Sequence, residues 1–338
     1  MAMMKGFWTK LPPPFFALAP MADVTDAAFR RIIAKYGKAD VLFTEFVSAD
    51  GLGHPKGREK LLIDLLYSES ERPIVAQLFT AHPEKMEAAG RLIQKLGFDG
   101  LDINMGCPDR AVEKQDAGAA LIKNPKLAQE VIWAAQRGAP KLPISVKTRL
   151  GYYRDELDVW LPALLETGLA AITLHARARQ EMSKVPAHWE AIARAVKIRD
   201  SLKGGTLIIG NGDVADLNEA RRRATETGAD GIMLGRAIFG NPWLFAPRFD
   251  LGELNQRVTL KDAPRVTLET RLRVLVEHTK LFEELLGGVK SFAVMKKHFK
   301  HYISGFTGAA ELRQELMGSP DAAAVARVVD KYLATMIQ

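Results

Sequence analysis

The chain contains one cysteine in 338 residues, Cys107, and its neighbours are chemically informative. An apolar run leads to Asn104, Gly106 stands directly before the cysteine, and Pro108 follows it at once. Because glycine relaxes the backbone and proline fixes it, this pattern predicts a thiol held on a turn at the end of a strand. A lone cysteine can equally be a small apolar residue of a core, so its role depends on the residues that share its site.

The short apolar runs end in residues, most of them polar, that could bind a ligand or take part in catalysis. These residues are Pro20 and Met21, Gln77, Asn104, Lys147 and Arg149, His175 and Arg177, Asn211 to Asp213, and Gly235 with Arg236. Each one taken alone has a structural explanation, such as a core histidine or a surface lysine. Their joint position at the ends of successive runs favours one common site.

The runs alternate with amphipathic helical stretches, which predicts an α/β fold. Eight candidate strands span residues 15–20, 41–46, 73–79, 100–106, 144–150, 171–177, 206–212 and 231–237, and helices are predicted at 26–36, 83–96, 126–137, 157–166, 188–199 and 216–227. Eight such units in about 240 residues fit a closed (β/α)₈ TIM barrel, whose active sites lie at the carboxyl ends of the strands. The alternative is an open doubly wound sheet, but no G-x-G-x-x-G pattern follows the first strand.

Beyond Phe239 the alternation stops and only helical periodicity remains. Helices are predicted at 266–286, 291–304 and 322–336, which indicates a C-terminal all-α helical bundle. The predicted domains are therefore a catalytic barrel, residues 1–245, and a helical domain, residues 246–338.

Composition excludes several classes of protein. With 47% hydrophobic and 26% charged residues the chain reads as an ordinary globular protein. One cysteine excludes an intramolecular disulfide framework and a cysteine-based zinc cluster, and no metal site is predicted. No secretory signal or long apolar run is evident, so we expect a cytoplasmic protein without a membrane partner. The net charge of +7 favours a polyanionic partner.

The strand-end residues predict the kind of ligand. Glycines beside Asn211 and Arg236 allow backbone N–H groups to approach an anion, and barrels commonly bind phosphate at these last two loops. Lys147 and His175 would then contact the polar edge of a planar ring, with Gln77 on the other side. A flavin fits this description, because a lysine near its N1–C2=O edge stabilises the reduced anion.

The motifs resemble the tRNA-dihydrouridine synthases, FMN-dependent enzymes that reduce uridine to 5,6-dihydrouridine in tRNA. The similarity is carried by Ala19-Pro20-Met21, Thr44-Glu45-Phe46, Gln77-Leu78, Asn104 to Pro108, Ala117 to Leu121, Val146 to Arg149, Asn211-Gly212-Asp213 and Gly235-Arg236-Ala237. It extends into the helical tail, where residues 294–298 look like the family's basic helix.

The resemblance implies roles for particular residues. FMN would be held by Pro20, Met21, Gln77, Lys147, His175, Asn211, Gly212, Asp213, Gly235 and Arg236. Cys107 corresponds to the catalytic acid, and Asn104, Arg177 and Arg149 are expected near the substrate base. One departure follows strand six, where this chain has His175-Ala176-Arg177 in place of the family's His-Gly-Arg. The path of the following loop is therefore open.

The expected mechanism is a hydride transfer from flavin N5 to uracil C6 and a proton transfer from Cys107 to C5, with NADPH or NADH as the reductant. In the tail, Lys296, Lys297 and Lys300 share a surface sector that we expect to bind tRNA phosphates. A monomer without an obligatory protein partner would suffice for this chemistry.

Two alternatives remain open at this point. A flavin barrel that reduces a free pyrimidine would act on uracil or orotate and would give the helical tail no task. A non-enzymatic tRNA-binding or chaperone role would give a colourless protein, whereas bound FMN is yellow.

Overall fold

Eight parallel strands form one sheet in the structure, a computed structural model that describes residues 6–246 and 266–336. The strands are β1 (Phe15–Leu18), β2 (Leu42–Ser48), β3 (Ile74–Phe79), β4 (Gly100–Met105), β5 (Ile144–Arg149), β6 (Ala171–His175), β7 (Leu207–Asn211) and β8 (Gly231–Leu234). Consecutive strands pair from β2 to β8, and β8 pairs with β1. Ala17 of β1 also pairs with Val41, directly before β2, so the sheet closes on itself. The predicted barrel is confirmed, and the open doubly wound sheet is excluded.

The strand register decides which side chains become neighbours at the mouth of the barrel. Gln77 on β3 is opposite Asp102 on β4, and Asp102 is opposite Ser145 on β5. Two residues further along, Asn104 is opposite Lys147. Because side chains alternate between the two faces of a strand, Asp102 and Asn104 project to the same side of β4. The register therefore brings polar side chains from three strands into one row.

The described residues form thirteen α-helices. They are α1 (Ala27–Tyr36), α2 (Ala49–Gly53), α3 (Pro55–Leu61), α4 (Pro83–Lys95), α5 (Arg110–Glu113), α6 (Pro125–Gly138), α7 (Leu157–Leu165), α8 (Trp189–Ser201), α9 (Leu217–Thr227), α10 (Leu268–Leu286), α11 (Met295–Tyr302), α12 (Ala309–Met317) and α13 (Ala322–Thr335). The six helices predicted within the barrel are present, with ends that shift by one or two residues. Asp216 caps α9 by accepting from two backbone N–H groups, and Gly228 ends it in the left-handed conformation.

Contacts divide the chain into two compact units. The first contains the described parts of residues 1–22 and 40–237, including all eight strands, and the second those of 23–39 and 238–338. The first helix of the α/β series, α1, thus belongs with the C-terminal helices. The functional assignment of the predicted domains, 1–245 and 246–338, stays a prediction. Residues 247–265, beside that boundary, lie outside the described residues.

The second unit is helical, as the periodicity predicts. Its longest helix, α10, buries Leu272, Leu275 and Phe282, and α13 buries Val325 and Val329. The stretch predicted as one helix over 291–304 is a short 3₁₀ turn followed by α11. The helix α12 was not predicted, because its mixed sequence has weak periodicity.

Within the described ranges, no helix is long and apolar enough to cross a membrane. The same ranges contain no group of three or more His, Cys, Asp or Glu side chains that could hold a metal ion.

Candidate active site

A cavity opens at the carboxyl ends of the barrel strands, and it gathers side chains from five separate parts of the chain. Its lining consists of Ala19, Pro20, Met21, Lys147, His175, Arg177, Asn211, Gly212, Asp213, Val214, Met233, Gly235 and Arg236. Nine of the ten residues predicted to hold a cofactor are in this set, and Gln77 is the exception. The residues therefore come together in space although 216 positions separate Pro20 from Arg236 (236 − 20).

The cavity is strongly electropositive. The Lys147 ammonium donates to Asn211 Oδ1 at 3.3 Å, and burial, followed by the charge of Arg149, lowers the pKa of Lys147 to about 8. His175 lies among these cations. Burial, and then the positive charges around it, lower its pKa to about 2. His175 is therefore neutral at physiological pH, and the site favours an anionic ligand over a cationic one.

A neutral His175 also has a defined hydrogen-bonding arrangement. The guanidinium of Arg177 lies 3.1 Å from His175 Nε2. Because arginine can only donate, Nε2 accepts and the ring proton resides on Nδ1. Arg177 itself is almost completely buried, and its other donors reach the Val185 carbonyl at 2.6 Å and the Asp213 carboxylate. The His175 ring is thus held by Arg177, which is itself fixed by its hydrogen bonds to Val185 and Asp213.

Asp213 joins the two loops that close the cavity at β7 and β8. One of its oxygens accepts from Arg177 and from the backbone N–H of Ala187, and the other accepts from Arg236 at 2.6 Å. The guanidinium of Arg236 remains 67% exposed, so it can still meet a ligand. Gly212 has a φ of +133°, and a Cβ there would lie 2.9 Å from the Cβ of Ala187. Only glycine fits this close approach.

The turn that carries Cys107 is held by Asn104. The Asn104 side-chain oxygen accepts from the backbone N–H of Gly106 at 3.1 Å and of Cys107 at 2.9 Å. The Cys107 carbonyl accepts from Ala119 N–H at 3.0 Å, and a Cβ at Gly118 would collide with this carbonyl at 2.8 Å. The thiol is partly buried against Val112 and its neighbours. Burial raises the pKa of Cys107, so the thiol keeps its proton at neutral pH.

Gln77 lies beneath this turn and is completely buried. Its Nε2 donates to Asp102 at 2.6 Å, and its Oε1 accepts from the Asn104 amide at 3.0 Å. Both ends of the Gln77 amide group thus have a protein partner, and its contact with a cofactor stays a prediction. Asn104, predicted to contact a substrate base, likewise uses its oxygen and one of its amide protons inside the protein.

Known proteins are similar to this chain over nearly its whole length. The family model described as dihydrouridine synthase (Dus) matches residues 17–337. The chain belongs to the dihydrouridine synthase family. It is 39% identical over 336 residues to a protein of Staphylococcus aureus (strain MRSA252) named "Probable tRNA-dihydrouridine synthase", with 99% of this chain and 98% of the other covered. The match to "Probable tRNA-dihydrouridine synthase 2" of Bacillus subtilis (strain 168) is 39% over 332 residues, with 98% and 97% covered.

Solved structures share the barrel at low sequence identity. Histamine dehydrogenase from Rhizobium sp. 4-9 superimposes with a TM-score of 0.53 at 12% identity, covering 79% of this chain and 48% of that one. A 2-naphthoyl-CoA reductase complex gives a TM-score of 0.52 at 9% identity, covering 68% and 49%. This chain thus spans about half the length of these proteins. At such identity the likeness supports the barrel fold alone.

The family resemblance places Arg149 near the substrate base, and in the structure its guanidinium forms hydrogen bonds with backbone carbonyls. Its guanidinium donates to Gly106 O at 2.8 Å, and to Ala178 O and Met182 O, both at 3.3 Å. Burial lowers the pKa of Arg149 to about 10, which leaves it cationic at neutral pH. It therefore ties the turn before Cys107 to the loop that follows β6.

Sequence reasoning missed a second arginine that joins the same two loops. Arg179 pairs with Glu113, with Nε to Oε1 at 2.7 Å, and it donates to the Pro108 carbonyl at 3.2 Å. The pair lowers the pKa of Glu113 and raises that of Arg179. A second Arg two positions after Arg177 was the only signal in the sequence, and the partner on the other loop could not be read from it.

The three lysines predicted to bind tRNA lie on α11 in the second unit. This helix buries Met295, His298, Phe299 and Tyr302 and exposes Lys296, Lys297 and Lys300, as the spacing predicts. Lys297 forms an ion pair with Asp23 at 2.8 Å. Its charge is therefore partly compensated within the protein.

Proposed function

We propose that this protein reduces uridine to 5,6-dihydrouridine in tRNA, with FMN as its cofactor and NADPH or NADH as the reductant. The observation that carries the proposal is the pairing of a cation-rich cavity with a partly buried free thiol at the same barrel mouth. Membership of the dihydrouridine synthase family supports the substrate. A tRNA substrate would place the enzyme in the cytoplasm.

The residues present fit an anionic flavin nucleotide. The cavity combines cationic groups, Lys147 and Arg236, with a neutral His175 and with a close glycine approach at Gly212. FMN would be held by Pro20, Met21, Gln77, Lys147, His175, Asn211, Gly212, Asp213, Gly235 and Arg236. When bound, FMN would supply the hydride that uracil C6 receives, after NADPH or NADH has provided the electrons.

Lys147 and His175 set the electrostatics of this site. Burial lowers the pKa of the Lys147 ammonium to about 8. A negative charge nearby would stabilise this ammonium, because the anion offsets the cost of its desolvation. Lys147 would therefore stabilise negative charge on the ring system and regain a higher pKa. His175 contributes a neutral ring with a proton on Nδ1, and thus a hydrogen bond without adding charge.

Cys107 supplies the proton. Hydride addition at uracil C6 leaves negative charge on C5 and O4, and the thiol gives its proton to C5 to complete the reduced ring. The Cys107 thiol remains protonated at neutral pH because burial raises its pKa, so it is in the form that a general acid needs. Substrate contacts through Asn104 and Arg177 remain part of the proposal. For Arg149 we propose a different task, holding the Cys107 turn through Gly106 O.

The tRNA is expected to bind through charge. Lys296 and Lys300 are exposed on one face of α11, where phosphates can reach them. The uridine must leave its stack to reach the barrel mouth, as in other enzymes that act on a base inside folded nucleic acid.

Mapping dihydrouridine in tRNA from cells with and without this protein tests the reaction and locates the modified uridine. The proposal expects dihydrouridine at one or more positions to disappear when the protein is absent. The purified protein is expected to be yellow and inactive on free uracil or orotate. Unchanged tRNA together with activity on a free pyrimidine would favour the alternative of a pyrimidine reductase, and a colourless protein would favour a binding role.

A further inference from the structure

Asp102 is a carboxyl group that is completely buried beneath the Cys107 turn and that the proposed reaction does not use. Its Oδ1 accepts from Ser145 Oγ at 2.6 Å, and its Oδ2 accepts from Gln77 Nε2 at 2.6 Å. Burying a carboxylate is unfavourable, and burial raises the pKa of Asp102 to about 6. Its charge therefore adds no stability, and we look for its role in the two hydrogen bonds that its oxygens accept.

The hydrogen bonds that start at Asp102 run in one direction. An ionised carboxylate can only accept, so Gln77 must turn its NH₂ group toward Asp102. This leaves the Gln77 carbonyl to accept from the Asn104 amide at 3.0 Å. Asn104 must then present its own oxygen to the backbone N–H groups of Gly106 and Cys107. Each amide is oriented by the one before it.

Without an acceptor at position 102, the same series of hydrogen bonds could form in the reverse direction. A flipped Gln77 would present its NH₂ to Asn104, and Asn104 would accept this bond by turning its own NH₂ toward the turn. That NH₂ would face the N–H of Cys107, donor against donor, and the turn would lose both of its hydrogen bonds. A buried donor without an acceptor is unfavourable, and this favours a change in the turn's conformation.

We propose that Asp102 is a positioning residue, which fixes the orientation of the Gln77 and Asn104 side-chain amides and thereby holds Cys107 in place. This role deepens the proposed function and rests on it only in calling the cysteine catalytic. Ser145 completes the arrangement. Its hydroxyl donates to Asp102 Oδ1, so Oδ2 is the oxygen that accepts from Gln77. The row Gln77, Asp102, Ser145 follows directly from the register of β3, β4 and β5.

The single cysteine makes the test selective, since a thiol-alkylating reagent such as iodoacetamide can label only Cys107. The comparison is between the wild-type protein as purified, Asp102→Ala, and the conservative Asp102→Asn. In Asp102→Asn the amide oxygen still accepts from Gln77, and its NH₂ can donate to Ser145 Oγ. Asp102→Ala is expected to raise the alkylation rate at neutral pH roughly tenfold, because a released thiol is more exposed and its pKa falls. Asp102→Asn is expected to stay near the wild-type rate.

A second variant guards against misfolding of Asp102→Ala. Gln77→Met has nearly the same shape and breaks the chain at its middle link, so it should raise the alkylation rate by a similar factor. The double variant should add little, because both changes remove the same coupling. Equal alkylation rates for wild type, Gln77→Met and a folded Asp102→Ala would overturn the role of Asp102, as would a fast rate in Asp102→Asn.

Dihydrouridine formation by the same variants separates this proposal from the proposed function. A positioning role predicts that Asp102→Ala lowers kcat more than it raises KM for tRNA, with activity retained in Asp102→Asn. If no variant, including wild type, forms dihydrouridine while alkylation still distinguishes them, the reaction is wrong and the positioning role stands. If wild type forms dihydrouridine and all alkylation rates are equal, the proposed reaction stands and the positioning role of Asp102 is wrong.

Discussion

The buried carboxyl of Asp102 costs the folded protein free energy at neutral pH, and replacing it with a neutral amide should remove most of that cost. Burial raises the pKa of this carboxyl from 3.8 to about 6. Each pKa unit corresponds to about 1.4 kcal/mol, so the ionised group disfavours the folded state at pH 7 by roughly 3 kcal/mol. Asp102→Asn should therefore increase the free energy of unfolding at pH 7 by up to about 3 kcal/mol.

The pH dependence of this gain has a definite sign. The folded protein binds the Asp102 proton more tightly than the unfolded chain does, so protonation favours folding. The contribution of Asp102 to wild-type stability thus rises as the pH falls from about 6 toward about 4, and the group becomes protonated in both states only below its unfolded pKa of 3.8. Asn does not titrate. The advantage of Asp102→Asn should be full above about pH 6 and should disappear near pH 4.

Urea unfolding followed by circular dichroism, at about pH 7.5 and about pH 5, measures this difference. An exposed carboxylate provides the matched control: Asp158→Asn on α7 should change stability little at either pH. A destabilised Asp102→Asn at pH 7.5, or a gain of equal size at both pH values, would refute the reasoning. The first result would mean that the charged hydrogen bonds outweigh the desolvation, and the second that the carboxyl does not titrate between these pH values.

Two further predictions concern the second unit. His278 and His298 are fully buried with no hydrogen-bond partner among the described residues, and burial lowers the pKa of both, that of His298 to about 3. Their contribution to stability is full above the unfolded pKa of about 6.5, and below it falls by about 1.4 kcal/mol per pH unit for each histidine. Because phenylalanine does not titrate, His298→Phe should flatten the acid side of a plot of melting temperature against pH. An unchanged plot would show that His298 does not control this dependence. Replacing Lys296 and Lys300 with Ala should weaken tRNA binding and lower the slope of log K against log salt by roughly 1–2, whereas Lys331→Ala, which breaks a surface ion pair, should change neither. Equal salt slopes in all three proteins would place the tRNA contact elsewhere.

The fold could be predicted from sequence because the barrel repeats one local pattern. All eight strands are short apolar runs between helices, and each was found. Six of the eight predicted strands overran their carboxyl ends, whereas the prediction for β2 stopped two residues short and that for β3 ended correctly. In the predicted strand 171–177, for example, β6 ends at His175. The backbone turns there, since Arg177 N–H bonds to the His175 carbonyl. The polar residues that announce a site are also the ones that end the strand.

Short elements escaped prediction for a physical reason. The helices α2 and α3 follow β2 and contain five and seven residues, too few to show a helical period, and α2 contains two glycines. Tertiary contacts, and not intrinsic propensity, stabilise such helices.

The residues of the candidate site that stand at strand ends could be predicted from sequence, whereas buried residues whose roles depend on their hydrogen-bond partners could not. Lys147, His175 and Arg236 stand at strand ends, so their sequence positions identify the cavity. Asp102 and Ser145 gave no such signal, because a polar residue inside an apolar strand is recognised only once its neighbours across the sheet are known. Register supplies these neighbours, and register is a property of the closed barrel.

We propose that Cys107 donates the proton in uridine reduction. The most direct measurement is the rate of dihydrouridine formation in tRNA by purified wild-type protein and Cys107→Ala, with NADPH as reductant and the bound flavin quantified in both. We expect Cys107→Ala to retain its cofactor and to lose about two to four orders of magnitude in rate, the usual contribution of a general acid. Formation of dihydrouridine by Cys107→Ala at the wild-type rate would contradict the assignment.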